Sequence, residues 1–232
     1  MCTYLLSKKA DIHSTDDNDR APLHVAAQGG FTALCRMFIK SKADLEVQDS
    51  DGQTPLHVAC EHNRHEVCSF LWKAGSKLEA VGENGETPLH YASRSGNSEI
   101  VLFLVLFLVR KGANVNARTD ELNTPLHYAA ENDNVECCKI LLQRRACVDA
   151  ENESWETPLQ LAAREDAMET CELLMNKGAG PNHKYFQGES PLDLVDEKVA
   201  EKWSATCKVK TETTASAGVA NFEGNIMIQL SG

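Results

Sequence analysis

The sequence predicts an all-α chain assembled as an array of short paired helices. Three observations carry that reading. First, a proline–leucine pair preceded by a small residue recurs as Ala21-Pro22-Leu23-His24, Thr54-Pro55-Leu56-His57, Thr87-Pro88-Leu89-His90, Thr124-Pro125-Leu126-His127, Thr157-Pro158-Leu159-Gln160 and Ser190-Pro191-Leu192-Asp193. The spacings are 33, 33, 37, 33 and 33 residues, one period with a single excess of four. Second, each recurrence is followed by apolar residues at helical spacing, as in Val67, Phe70 and Leu71. Third, these runs stop at glycine-containing signals: Lys73-Ala74-Gly75, Arg110-Lys111-Gly112 and Asn176-Lys177-Gly178.

Within one unit the elements follow in order. Thr or Ser before Pro is a helix start, its hydroxyl placed to cap free N–H groups while proline fills the first helical position. A short helix such as Pro55 to His62 breaks near Asn63, and a second helix ends at the glycine signal. An extended stretch with a turn dipeptide, Asp51-Gly52 or Asn84-Gly85, then leads to the next Thr-Pro as a β-hairpin loop.

Helix, turn, helix and hairpin in about 33 residues, opened by T-P-L-H-x-A, resembles the ankyrin repeat family. The likeness covers residues 1–203, with units starting near 20, 53, 86, 123, 156 and 189 and about five of them full. It implies an ankyrin-repeat solenoid whose hairpin fingers and first helices form a concave binding face. Met1 to Lys9 align only with the end of a second helix. A truncated half-repeat leaves an apolar edge where solenoids need a polar cap, so the expectation is a single-copy array within a longer protein. Ser190 to Trp203 read as a terminal repeat, 204–232 as a linker-like tail, and Val219 to Leu230 as a strand opening a further element.

Composition narrows the function. The 232 residues carry a formal net charge of −11, from 34 acidic and 23 basic residues. Nucleic acid and anionic membranes need a basic surface, so both are disfavoured and a basic protein partner is easier. The apolar run Val101 to Val109 would span roughly 14 Å as a helix, about half a bilayer core, so no membrane insertion is expected. No secretory signal opens the chain. The nine cysteines form no CxxC pair and read as reduced thiols of a cytoplasmic or nuclear protein.

No catalytic constellation is present: no glycine-rich phosphate loop, no GxSxG, no HExxH and no cysteine paired with a base. The expectation is no enzyme, no cofactor and no metal. Cys35, Cys68, Cys138 and Cys171 recur 14 residues after their anchor, with Val101 in the same slot. Stacked helix layers lie about 10 Å apart, too far for disulfide or metal sharing between equivalent positions, so this column reads as core. His24, His57, His90 and His127 fail as ligands for the same reason. In the family this histidine bonds the Thr or Ser hydroxyl and the backbone of the neighbouring repeat, with Gln160 and Asp193 departing from it. Asn116 matches a hairpin asparagine that oxygen-dependent hydroxylases modify in some members, although a structural role is sufficient for it.

The fingers are what structure does not consume. Across Glu46–Gln53, Glu79–Glu86, Ala117–Asn123 and Asp149–Glu156 lie twelve acids and one base, Arg118. The expected partner-binding set takes Glu46, Asp49 and Asp51 from one finger and Glu83 and Glu86 from the next. It adds Asp120, Glu151, Glu153 and Arg118, and Arg94 and Glu131 on first helices. Tyr91 and Tyr128 follow the motif histidine on the surface that faces the groove in this family, and Trp155 and Tyr185-Phe186 stand at fingers as further aromatic anchors. The reading is a non-catalytic scaffold that binds a protein segment, speeded by charge if that segment is basic. The alternatives are a targeting arm of a larger signalling enzyme or ubiquitin-ligase adaptor, and the cytoplasmic arm of a transient receptor potential type channel.

The excess of four is VLFLVLFL, a tandem copy within the second helix of the third unit. Four residues add about 400° and about 6 Å, so the apolar face returns to within about 40° of its direction. The hairpin at Val115-Asn116-Ala117 must stack, so the extra turn is expected at the helix start. That would lift Ser95-Gly96-Asn97-Ser98 out of line and expose some of Leu102, Phe103, Leu104 and Leu106.

Overall fold

The computed structural model describes residues 11–111, 114–181, 188, 190–195, 199–201 and 203. Five helix pairs follow one another: α1 (Pro22–Gln28) with α2 (Thr32–Lys40), α3 (Pro55–Glu61) with α4 (His65–Ala74), and α5 (Pro88–Arg94) with α6 (Ser98–Lys111). The series continues with α7 (Pro125–Glu131) and α8 (Val135–Gln143), then α9 (Pro158–Arg164) and α10 (Met168–Asn176). A 3-10 turn at Pro191–Asp193 opens a sixth unit. The expected half-repeat at Met1 to Lys9, the Gly112 stop signal, Tyr185, Phe186 and the tail from 204 onward lie outside the described residues.

Each first helix starts at the proline that the motif supplies, and the residue before it is extended, Thr54 at φ −86° and ψ 164°. The helix start differs from expectation in one respect. The backbone N–H of Thr54 donates to Nδ1 of His57 at 3.0 Å, and the Thr54 hydroxyl lies 2.9 Å from the same nitrogen. Thr87 with His90 and Thr124 with His127 repeat this arrangement. At Thr157 the hydroxyl also accepts the Gln160 N–H, at 3.4 Å. The fourth motif residue therefore caps the chain before the helix, which explains why Ala21, with no hydroxyl, still serves: its N–H donates to His24 Nδ1 at 3.1 Å. At the other end, Gly75 (φ 113°) and Gly178 (φ 104°) take the left-handed conformation that stops a second helix.

One buried seam runs through the stack. Leu23, Leu56, Leu89, Leu126 and Leu159 come from the motifs, and Cys35, Cys68, Val101, Cys138 and Cys171 from the second helices; all ten are buried. Alanines and small residues line the contact between successive first helices, letting backbones approach closely, and Trp203 closes the far end. Full burial of a leucine contributes about 1.5–3 kcal/mol, so the column of five is a principal source of stability.

Four kinds of hydrogen bond stitch neighbouring repeats. The imidazole Nε2 reaches the next finger: His24 to Gln53 O (2.9 Å), His57 to Glu86 O (3.1 Å) and His127 to Glu156 O (3.1 Å). At the helix–helix turn, Asn97 Nδ2 donates to Cys60 O (2.7 Å) and Asn134 Nδ2 to Ser93 O (2.8 Å), while Arg64 Nε reaches Gln28 O (2.8 Å) from the same position. On the approach to each finger, Glu46, Glu79, Asn116 and Asp149 accept the backbone N–H of Lys77, Asn114, Cys147 and Gly180. Finally the fingers bond tip to tip, as Glu83 N–H to Asp51 O (3.2 Å) and Asp120 N–H to Asn84 O (3.0 Å).

Those fingers are tight turns rather than paired strands. No strand occurs among the described residues. A finger closes through two backbone bonds, such as Asp49 N–H to Gln53 O at 3.1 Å and Gly52 N–H to Asp49 O at 3.0 Å, because the turn itself uses up the residues that a ladder would need. Asp49 reinforces it by accepting the N–H groups of Asp51 and Gln53, and Asn152 does the same for Ser154 and Glu156.

The duplicated segment also departs from expectation. Asn97 keeps its bonds to α3, so Ser95–Ser98 stays in line and the 14-residue α6 is extended at its C-terminal side instead. The two bonds of Asn97 Nδ2, to Cys60 O and Glu61 O, hold the helix start in place. Val101, Leu104 and Val105 are buried, Phe103 is half-buried edge-on to Trp72, and only Leu102 and Leu106 of the first six residues are exposed. Deleting Val101–Leu104 places an identical VLFL in the vacated slots. The unfolding midpoint of that variant should stay within about 2 °C of the parent or rise, and a fall beyond about 5 °C would contradict the phase argument.

Candidate protein-binding face

Outward positions of the first helices and the last residue of each finger face one another across the inner surface. Down the helices the column reads Gln28, Glu61, Arg94, Glu131, Arg164, and the facing finger column reads Arg20, Gln53, Glu86, Asn123, Glu156. Where the helix supplies arginine, the finger supplies its partner. Arg94 is ion-paired to Glu86, itself buried, and its guanidinium lies 4.6 Å over the Tyr128 ring and 5.1 Å from Tyr91. Arg164 pairs with Glu156 at 2.5 Å. Where the helix supplies glutamate, the finger offers only the amides Gln53 and Asn123. Glu61 has His62 at 3.9 Å, and no ion pair of Glu131 occurs among the described residues.

Tyr91 corrects the expectation of an exposed anchor: it is 5% exposed. Its ring stands edge-on to His57 at 5.4 Å, and that of Tyr128 stands edge-on to His90 at 5.8 Å. The position after the motif histidine thus stacks on the histidine of the preceding repeat, and Arg94 covers what is left. Burial pushes the Tyr91 phenol up to about 12 and raises that of the half-buried Tyr128.

The finger carboxylates divide. Glu46 and Asp49 hold backbone N–H groups, and Glu86 is consumed by Arg94. Asp51, Glu83, Asp120 and Glu153 are exposed. At the first fingers the inner surface forms a hollow lined by Arg20, His24, Gln28, Asp49, Asp51 and Glu61 among others. Trp155 does not join the tyrosines. It lines a separate cleft with Arg118, Leu122, Cys147, Asp149, Glu151 and Glu153, in which no first-helix residue takes part. Leu122 is an exposed residue that motif reading passed over, although a signal existed: Glu121-Leu122 and Ser154-Trp155 stand where Asp51-Gly52 and Asn84-Gly85 mark the earlier fingertips.

The histidine and cysteine columns are occupied by structure. His57, His90 and His127 are buried with one nitrogen accepting an N–H and the other on a carbonyl oxygen, and burial holds each imidazole down at about 4. Burial likewise raises the thiols of Cys35 to about 11 and of Cys137 and Cys171 to about 12, which keeps them protonated. One pair escaped the repeat-to-repeat argument because it lies inside a single unit: Cys60 and Cys68 place their sulfurs 3.6 Å apart in the core. Asn116 uses both ends of its amide on the following loop, at Arg145 O and Cys147 N.

The family described as ankyrin repeats (3 copies) matches over residues 1–81, 41–119 and 103–185. The chain belongs to the ankyrin repeat family. Its fold is similar to the crystal structure of the human ASB11 ankyrin repeat domain, with a TM-score of 0.75 and 29% identity over 84% of this chain and 86% of that one. No curated protein matches the sequence. Ankyrin repeats generally mediate protein–protein interaction, and the fold is typically non-catalytic. No helix among the described residues is long and apolar enough to cross a membrane.

Proposed function

We propose that this ankyrin array is a non-catalytic docking module whose inner face receives an extended protein segment carrying lysine or arginine. One observation carries the reading. The inner-face arginines bring their own carboxylates, whereas Glu131 has no ion pair among the described residues and Glu61 has only the His62 imidazole, and Asp51, Glu83, Asp120 and Glu153 project from the fingers beyond them. The surface therefore presents unmatched negative charge at repeat intervals on a preformed scaffold, which steers a basic segment and fixes its register. Burial of Tyr91 and pairing of Arg94 make these two residues supports of the face rather than its contacts. Glu131, Asp51 and Asp120 are the residues expected to touch the partner.

Charge reversal tests this without disturbing the core. A partner captured from native lysate by the parent chain should bind Glu131→Lys/Asp120→Lys on the order of 10-fold more weakly, chiefly through slower association that also depends on salt. Equal association rates at low and high salt for parent and variant would sink the electrostatic reading.

A further inference from the structure

The fourth and fifth fingertips carry a feature that the inner groove does not use. In every described finger the residue two before the repeat anchor is left-handed: Asp19 (φ 57°), Gly52 (68°), Gly85 (72°), Leu122 (62°), Trp155 (63°) and Gly188 (82°). Glycine adopts this conformation freely and bulky residues do not. At Gly85 a side chain would also meet Asp120 of the next finger, with Oδ1 2.8 Å from the added carbon. Leucine and tryptophan nevertheless occupy adjacent tips, 37% and 57% exposed, and line one cleft together. Trp155 is the exposed one of the three tryptophans; Trp72 is half-buried and Trp203 buried. Around the pair stand Asp149, Glu151 and Glu153, with Asp120 and Glu121 on the neighbouring tip, and Arg118 is the one base among the described residues that line the cleft.

We propose that Leu122 and Trp155 form a second docking surface, on the fingertips beside the inner groove and sharing the carboxylates Asp120 and Glu153 with it, for a protein segment in which one bulky apolar side chain is flanked by lysine or arginine. The apolar pair supplies the anchor that excludes water, and the carboxylate rim supplies charge complementarity. A tryptophan at a conformationally disfavoured, solvent-exposed tip stabilises nothing in the array that glycine would not, whereas it supplies a rigid contact area to a partner.

The glycines at sister positions define variants that keep the fold. Trp155→Gly and Leu122→Gly should unfold within about 2 °C of the parent or higher. The probes are three synthetic 12-residue peptides: one with a single Phe at its centre and lysine and arginine on both sides, one with Ala at that centre, and one with the Phe and glutamate flanks. Only the first should shift the Trp155 indole N–H resonance, assigned by its loss in Trp155→Gly, and either glycine variant should weaken that peptide at least about 10-fold. Glu131→Lys on the inner face should leave it within about 2-fold, so failure of the fingertip site is told apart from failure of the groove. Equal binding of the first two peptides, unchanged affinity in both glycine variants, or no binding of the first peptide at about 1 mM would each overturn the proposal.

Discussion

Acidification from pH 7.5 to 4.5 should strip the array of most of its stability, with the loss beginning below about 6.5. His57, His90 and His127 are held at about 4 in the fold by burial, against an ordinary value of 6.5. Between those values the unfolded chain takes up protons that the folded chain refuses, so stability falls as pH falls through the interval. The contribution is complete above 6.5 and exhausted near 4. Each shift is worth at most about 3 kcal/mol, and three such groups exceed what a marginal array can spare. Carboxylates that hold backbone N–H groups or arginine, as Asp16 does with Arg20, which keeps it below its ordinary value, add to the loss only at lower pH, below about 4. Urea unfolding at unit pH steps separates the two effects: the steepest drop belongs between 6.5 and 4.5, and a flat profile there would contradict it.

His90→Ala should be the most damaging single substitution at the repeat interfaces. It removes the acceptor for the Thr87 N–H, the partner of the Thr87 hydroxyl, and the link from Nε2 to Ala117 O (3.1 Å) and Asn123 O (3.3 Å) of the next finger. It also takes away the edge on which Tyr128 stacks. Stranded buried polar groups and the cavity together should cost about 3–4 kcal/mol. His90→Gln should lose about half of that, because Gln160 shows the amide oxygen accepting the equivalent N–H at 2.7 Å. Chemical denaturation of both variants measures the difference. A loss under about 1 kcal/mol for His90→Ala would contradict the assigned role.

Much of this was legible in the sequence because each repeat states its own local rules. Proline at the first helical position, histidine three residues after the anchor and glycine at a second-helix end each determine a short-range bond, and their 33-residue recurrence determines the stack. What escaped depends on the next repeat. Tyr91 is buried because His57 lies beneath it and Arg94 folds over it, neither of which its own motif announces. The duplicated VLFL extends the far side of α6 because the Asn97 amide is anchored to α3, a contact 37 residues away. Charge counting over the fingers marked twelve acids, but it could not separate Asp49 and Glu46, which hold backbone, from Asp120 and Glu153, which project into solvent.

The claim on which the rest stands is that the repeated columns are committed to joining one repeat to the next, leaving only inner-face and fingertip side chains for a partner. Long-range proton–nitrogen NMR of the imidazoles between pH 7.5 and 5 tests it most directly. The structure requires His57, His90 and His127 to appear as neutral rings with Nδ1 bare and Nε2 protonated, unchanged down to about pH 5. Rings that titrate near 6.5, or that populate both tautomers, would show the column free for other chemistry and would contradict the account.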